Sequence, residues 1–156
     1  MREMSICLWF DNEAEEAVNF YKTVFKDVKI LNTAKYLTET PSNKPTGSVM
    51  TIDFEINGNR FMALNGGSYF KFNEAISFVI YCKDQEEINY YYDKLSAVPE
   101  SEMCGWIKDK FGVSWQLVTE GFEKLMTGKN GKMVMEELLK MKRLDVDKLK
   151  RIHEGK

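Results

Sequence analysis

Residues 61–82 read FMALNGGSYFKFNEAISFVIYC, and the fold turns on how they are divided. Two apolar runs, Phe61–Leu64 and Ile76–Tyr81, flank a polar and aromatic link. Asn65-Gly66-Gly67 ends the first run, because glycine tolerates the backbone angles of a sharp exit. The second run is short, β-branched and aromatic, so it reads as a buried strand. On this division the stretch joins two copies of one supersecondary unit.

Upstream, Ser5–Phe10 (SICLWF) is almost continuously apolar and reads as a strand buried on both faces. Asn12 followed by Glu15 fits a capping box. The helix that follows carries an apolar stripe of Ala14, Ala17, Val18, Tyr21 and Phe25 at three- and four-residue steps. Val28–Tyr36 is a weaker strand. Residues 40–46 (TPSNKPT) hold two prolines and read as a mobile loop. Ser48–Ile56 alternates with one wet face, and Asn57-Gly58 predicts a hairpin to Phe61–Leu64 because both turn residues need positive φ.

Downstream the order recurs. At an offset of 71, Leu8-Trp9-Phe10 falls on Val79-Ile80-Tyr81 and Glu15-Glu16 on Glu86-Glu87. Ala17, Phe20, Tyr21 and Val24 fall on Ile88, Tyr91, Tyr92 and Leu95. Asp84 with Glu87 repeats the capping box. Residues 105–108 and 113–118 repeat the hairpin around a tip that includes Lys108, Asp109 and Lys110, read as solvated. A repeat in this order outweighs any single local motif. The predicted fold is α+β: two βαβββ repeats, at about 1–67 and 70–119, whose curved mixed sheets form a cup. The first post-helix strand of the second copy is its weakest element. Residues 120–156 read as a helical appendage, with stripes of Met133, Val134, Leu138 and Met141, then Val146, Leu149 and Ile152 behind a cap at Asp145.

The totals exclude several classes. At 156 residues the chain buries a core without a metal or disulfide staple. A net charge of −2 with no basic cluster before the tail gives nucleic acid no electrostatic footprint. No apolar run reaches the roughly 18 residues of a membrane span, and MREMSICLWF has no signal-peptide core. Cys7, Cys82 and Cys104 are widely spaced, without a CxxC pair, and read as buried free thiols in a reducing cytoplasm.

The stretches CLWFDNEAEEAVNFY (7–21), GSVMTIDFEINGNRFMALNGG (47–67), FKFNEAISFVIYC (70–82) and CGWIKDKFGVSWQLV (104–118) resemble the glyoxalase/bleomycin-resistance/dioxygenase (vicinal oxygen chelate) superfamily. Within it they resemble the PhnB-like group, also labelled the 3-demethylubiquinone-9 3-methyltransferase domain. KMKRLDVDKL (140–149) resembles the end of longer members. The resemblance implies a cup that binds a small molecule, and a homodimer. The methyltransferase label finds no support in the residues. No glycine-rich turn follows a parallel strand, and GKNGK (128–132) lacks the spacing of a phosphate loop.

Metal-dependent members carry His and Glu on inward strands. The corresponding positions here are Met4, Ala63, Ser77 and Gln116, none of them a metal-ligating type. The single histidine, His153, sits in the tail and reads as a surface helix residue. No metal and no cofactor are expected. The pocket candidates are Asn65, Phe72, Ser77, Trp106 and Gln116. Buried carboxamides at Asn65 and Gln116 need partners, whether backbone, water or ligand. Trp106 and Phe72 near loop ends suit an apolar pocket wall. Cys104 has no basic or histidine neighbour in sequence to activate it. Metal-free binding of an unidentified small molecule is the first reading. A metal-dependent lyase or dioxygenase, a metal-free isomerase using Gln116 and a water, and a structural dimer without ligand are the others.

Overall fold

The computed structural model describes residues 4–156; the first three residues of the N-terminal stretch read above lie outside it. The chain divides into two compact units, Met1–Phe72 and Asn73–Lys156.

In the first unit, β1 (Ile6–Phe10), α1 (Ala14–Val24), β2 (Val28–Lys35), β3 (Val49–Ile56) and β4 (Asn59–Asn65) build a four-stranded sheet in the order β1-β4-β3-β2. β1 runs parallel to β4, and the other pairs are antiparallel. The alternation read in β3 is real: Ile52, Phe54 and Ile56 are buried, and their alternates are half-buried. Tyr21 of α1, fully buried, stacks on Phe54, which stacks on Phe61. Leu8, Phe10 and Ala63 complete this helix-facing layer, the core of the unit. Asn57 and Gly58 both take positive φ, as the tight β3–β4 turn requires.

The second unit contains β5 (Ser77–Cys82), α2 (Gln85–Leu95), β6 (Trp106–Lys108) and β7 (Ser114–Thr119), with sheet order β5-β7-β6. β5 is parallel to β7, as β1 is to β4. This copy has three strands where the repeat predicts four. Its weakest predicted strand is reduced to a 3-10 turn, Pro99–Ser101, and a single bridge between Met103 and Trp106. The connection from α2 to β6 is too short for a full strand plus its return.

The helices α1 and α2 are offset by 71 at both ends, but the strands are not. Gly66 N–H donates to Phe10 O, and Glu120 N–H donates to Cys82 O, so Phe10 matches Cys82 at an offset of 72. Three residues separate β1 from α1, and two separate β5 from α2. The difference of one residue exchanges the faces of a strand. Leu8 and Phe10 thus correspond to Ile80 and Cys82, not to Val79 and Tyr81, which are 41% and 55% exposed. β5 is not the doubly buried strand that its composition suggests. In β1, likewise, Ile6 is exposed.

The appendage packs on the second unit. It contains α3 (Phe122–Leu125), α4 (Gly131–Leu138) and α5 (Val146–Glu154). Asp145 caps α5 by accepting from Lys148 N, as its position predicts. The Gln85 carboxamide donates to Leu144 O and accepts from Val146 N, both at 2.9 Å. The Arg143 guanidinium lies 4.0 Å over the Tyr92 ring and donates to Asp93 Oδ1. His153, half-buried, places Nδ1 3.2 Å from Leu125 O.

Candidate functional site

Each sheet has a helix-free face. In the second unit the alternation of β5 and β7 puts Ser77, Val79, Tyr81, Ser114, Gln116 and Val118 on it. The face opposite carries Trp115 and Leu117 against α2. Gln116 pairs in register with Val79 and Trp106, so these side chains are neighbours. Its Nε2 donates to Ser77 Oγ at 2.9 Å. Ser114 stands beside Ser77 in the ladder; it is buried, and its Oγ has no hydrogen-bond partner. Next to it Lys108 reaches Glu74 in an ion pair that lowers the Glu74 pKa, chiefly through the hydrogen bond from Lys108.

Three of the five predicted pocket residues, Ser77, Trp106 and Gln116, therefore share one face of this unit. Asn65 and Phe72 belong to the first unit. The Asn65 carboxamide is buried and doubly engaged: Oδ1 accepts from Ala14 N at 2.9 Å, and Nδ2 donates to Val49 O at 3.0 Å. It does the capping expected of Asn12, whose side chain makes no cap bond to α1. Half of the second capping box forms, with Asp84 accepting from Glu87 N, while the Glu87 carboxylate reaches one residue further back and accepts from Lys83 N. Phe72 packs edge-on against Phe10 with centroids 5.2 Å apart.

Two residues that sequence reasoning set aside are structural anchors. Asp109 is fully buried, not a solvated tip. Its Oδ1 accepts from Phe111 N and Val113 N, and its Oδ2 from Trp115 Nε1 at 3.0 Å. The signal was present: Asp with Gly three residues on is a side-chain-bonded turn. Lys44, in the loop read as mobile, is 4% exposed and donates to Asp11 O, Asp11 Oδ1 and Asn12 Oδ1. The thiols also differ from expectation: Cys82 is buried, Cys104 is half-buried and Cys7 is exposed. Burial, with Glu87 and Asp84 nearby, pushes the Cys82 thiol up to about 12.

The metal positions read from the resemblance do not fit a divalent ion. Ala63 is fully buried in the helix-facing layer, and Met4 is 91% exposed. Ser77 and Gln116 offer a hydroxyl and an amide already bonded to each other. Among the described residues no group of three His, Cys, Asp or Glu side chains can hold a metal ion.

A parallel outer strand followed by a helix and an antiparallel hairpin, occurring twice, defines an α+β protein of the glyoxalase (vicinal oxygen chelate) superfamily. The chain belongs to the 3-demethylubiquinone-9 3-methyltransferase family, whose model matches residues 2–118. It is 32% identical to the PhnB protein from Bacillus cereus, at a TM-score of 0.61, over 76% of this chain and 99% of that one. The fold is shared with protein PA1353 from Pseudomonas aeruginosa (14% identity, TM-score 0.55, 76% and 98% covered). It is shared also with the fosfomycin resistance protein FosX from Listeria monocytogenes, complexed with Mn(II) and sulfate (12%, 0.51, 81% and 98%). Comparison with curated proteins found no match. Among the described residues no helix is long and apolar enough to cross a membrane.

Proposed function

We propose that the chain binds a small organic molecule, without a protein-held metal, on the helix-free face that carries Ser77, Trp106, Ser114 and Gln116. The observation that supports this reading most is the Ser114 hydroxyl, buried and unpartnered beside the Ser77–Gln116 pair. A buried hydroxyl without a partner costs about 1–3 kcal/mol, and a ligand or a water removes that cost. The Gln116 oxygen and two hydroxyls suit an uncharged polar group, and Trp106 with Val79 suits an apolar body. Asn65 and Phe72 stand as separate ligand-contact candidates on the first unit, with Asn65 the less available of the two because its carboxamide already bonds Ala14 N and Val49 O. A homodimer in a reducing cytoplasm completes the reading, on the strength of the superfamily and of three unpaired cysteines.

A thermal-shift screen of the whole chain against uncharged polar aromatics tests it, because a ligand of the folded state raises Tm by mass action. The expected result is a hit whose shift is lost in Gln116→Met and weakened in Ser114→Ala. A library without hits, or shifts indifferent to both variants, would overturn the reading. So would stoichiometric metal in the purified protein. Light scattering should give twice 18.2 kDa.

A further inference from the structure

A wide-mouthed pocket of about 430 Å³ lies in the second unit, and one of its walls is Trp106, the neighbour of Gln116 in the sheet. Its walls are Trp106, Met103, Cys104, Ser101, Glu74 and Leu139. Leu139 follows α4 and lies outside the family-matched residues 2–118. The extension is held there by backbone geometry. Cys104 and Gly105 both take positive φ between the bridged residues Met103 and Trp106, which makes a tight two-residue turn. That turn points its free amides outward, and they donate to Met141 O and Lys142 O at 2.8 Å. A Cβ on Gly105 would stand 2.6 Å from Leu144 and 2.7 Å from Leu117 O, so only glycine admits the contact.

We infer that the extension turns this corner of the domain into a second ligand site, for a flat aromatic molecule bearing an amino or ammonium group. The volume lies within the roughly 300–1,000 Å³ of small-molecule pockets. An indole, a thioether, a thiol and a leucine make a soft, polarisable lining that favours an aromatic ring. The polar groups at the rim are acceptors. Ser101 Oγ gives its only proton to Val98 O, leaving lone pairs, and the Glu74 carboxylate, already ion-paired with Lys108, can only accept further hydrogen bonds. A ligand matched to that rim must donate. The pocket adjoins the Ser77–Gln116 face and shares Trp106 with it, but its other walls, Met103, Cys104, Ser101 and Leu139, are its own.

The test is calorimetry of the whole chain with 1-naphthylmethylamine and, for comparison, 1-naphthylacetate. The amine is expected to bind one-to-one, and the carboxylate at least tenfold more weakly. Leu139→Trp fills the cavity from an exposed position and should weaken amine binding tenfold or more with Tm unchanged. Glu74→Gln should weaken it about threefold, as befits an exposed ion pair. In a Cys7→Ser background, saturating amine should slow alkylation of Cys104, which places the probe. Equal affinity for both probes, binding indifferent to Leu139→Trp, or unprotected Cys104 would overturn the inference. Loss of amine binding in Gln116→Met would move the probe to the other face and overturn it as well.

Discussion

Asn65 joins three pieces of backbone with one side chain. It ends β4, covers the free amide at the start of α1 and braces the start of β3. Replacing it with alanine leaves Ala14 N and Val49 O buried without partners. We expect a loss of about 2–4 kcal/mol, read from urea unfolding, and a cost near zero would show that water replaces the amide. Next to it Gly66 lies so close to Trp9 that a Cβ would stand 2.3 Å from the ring, while the indole N–H donates to Gly67 O at 2.7 Å. The glycine pair at 66 and 67 was legible as a chain exit. That its first member makes room for an indole was not, because Trp9 is nearly sixty residues away in sequence.

At the scale of elements, the second unit depends on how residues 131–156 are fastened. Gln85 holds the start of α5 with both ends of its carboxamide. Gln85→Ala should cost about 1–3 kcal/mol and speed amide exchange in α4 and α5 while leaving β3 and β4 protected. Uniform exchange through both units would contradict this. A second fastening responds to pH. Glu102 lies under α2, where hydrogen bonds from Tyr92 and then Ser96 hold its carboxyl below the usual carboxylate range. The same contact, after burial, pushes the Tyr92 hydroxyl up to about 12. A carboxyl whose folded pKa is depressed contributes stability that is complete above its unfolded value. That contribution is lost as pH falls through the lowered folded value. Tm should therefore fall as the pH drops from the ordinary carboxylate range through the lowered value of Glu102, and Glu102→Gln should flatten that slope. An unchanged slope would assign the acid transition to other carboxylates.

For the molecule as a whole, thiol chemistry reports the fold simply. Cys7 and Cys104 are accessible, and Cys82 is buried with its thiol held protonated. Two thiols should react with a disulfide reagent in the folded chain, Cys7 slowed because burial raises its thiol pKa, and the third only after unfolding. Three reactive thiols would mean that β5 and α2 separate in solution. The duplication, the element order of its first copy, the two repeat helices and the Asn57-Gly58 turn were legible in the sequence, because apolar period and turn chemistry are local properties. The tertiary structure alone decided which face each strand presents. One residue fewer between β5 and α2 sends Val79 and Tyr81 outward, and no local pattern records that count. It also decided that Ser77, Gln116 and Trp106 lie side by side and that Asp109 and Lys44 are buried. Partners distant in the chain satisfy these polar groups, and only the packed backbone brings those partners within hydrogen-bond reach.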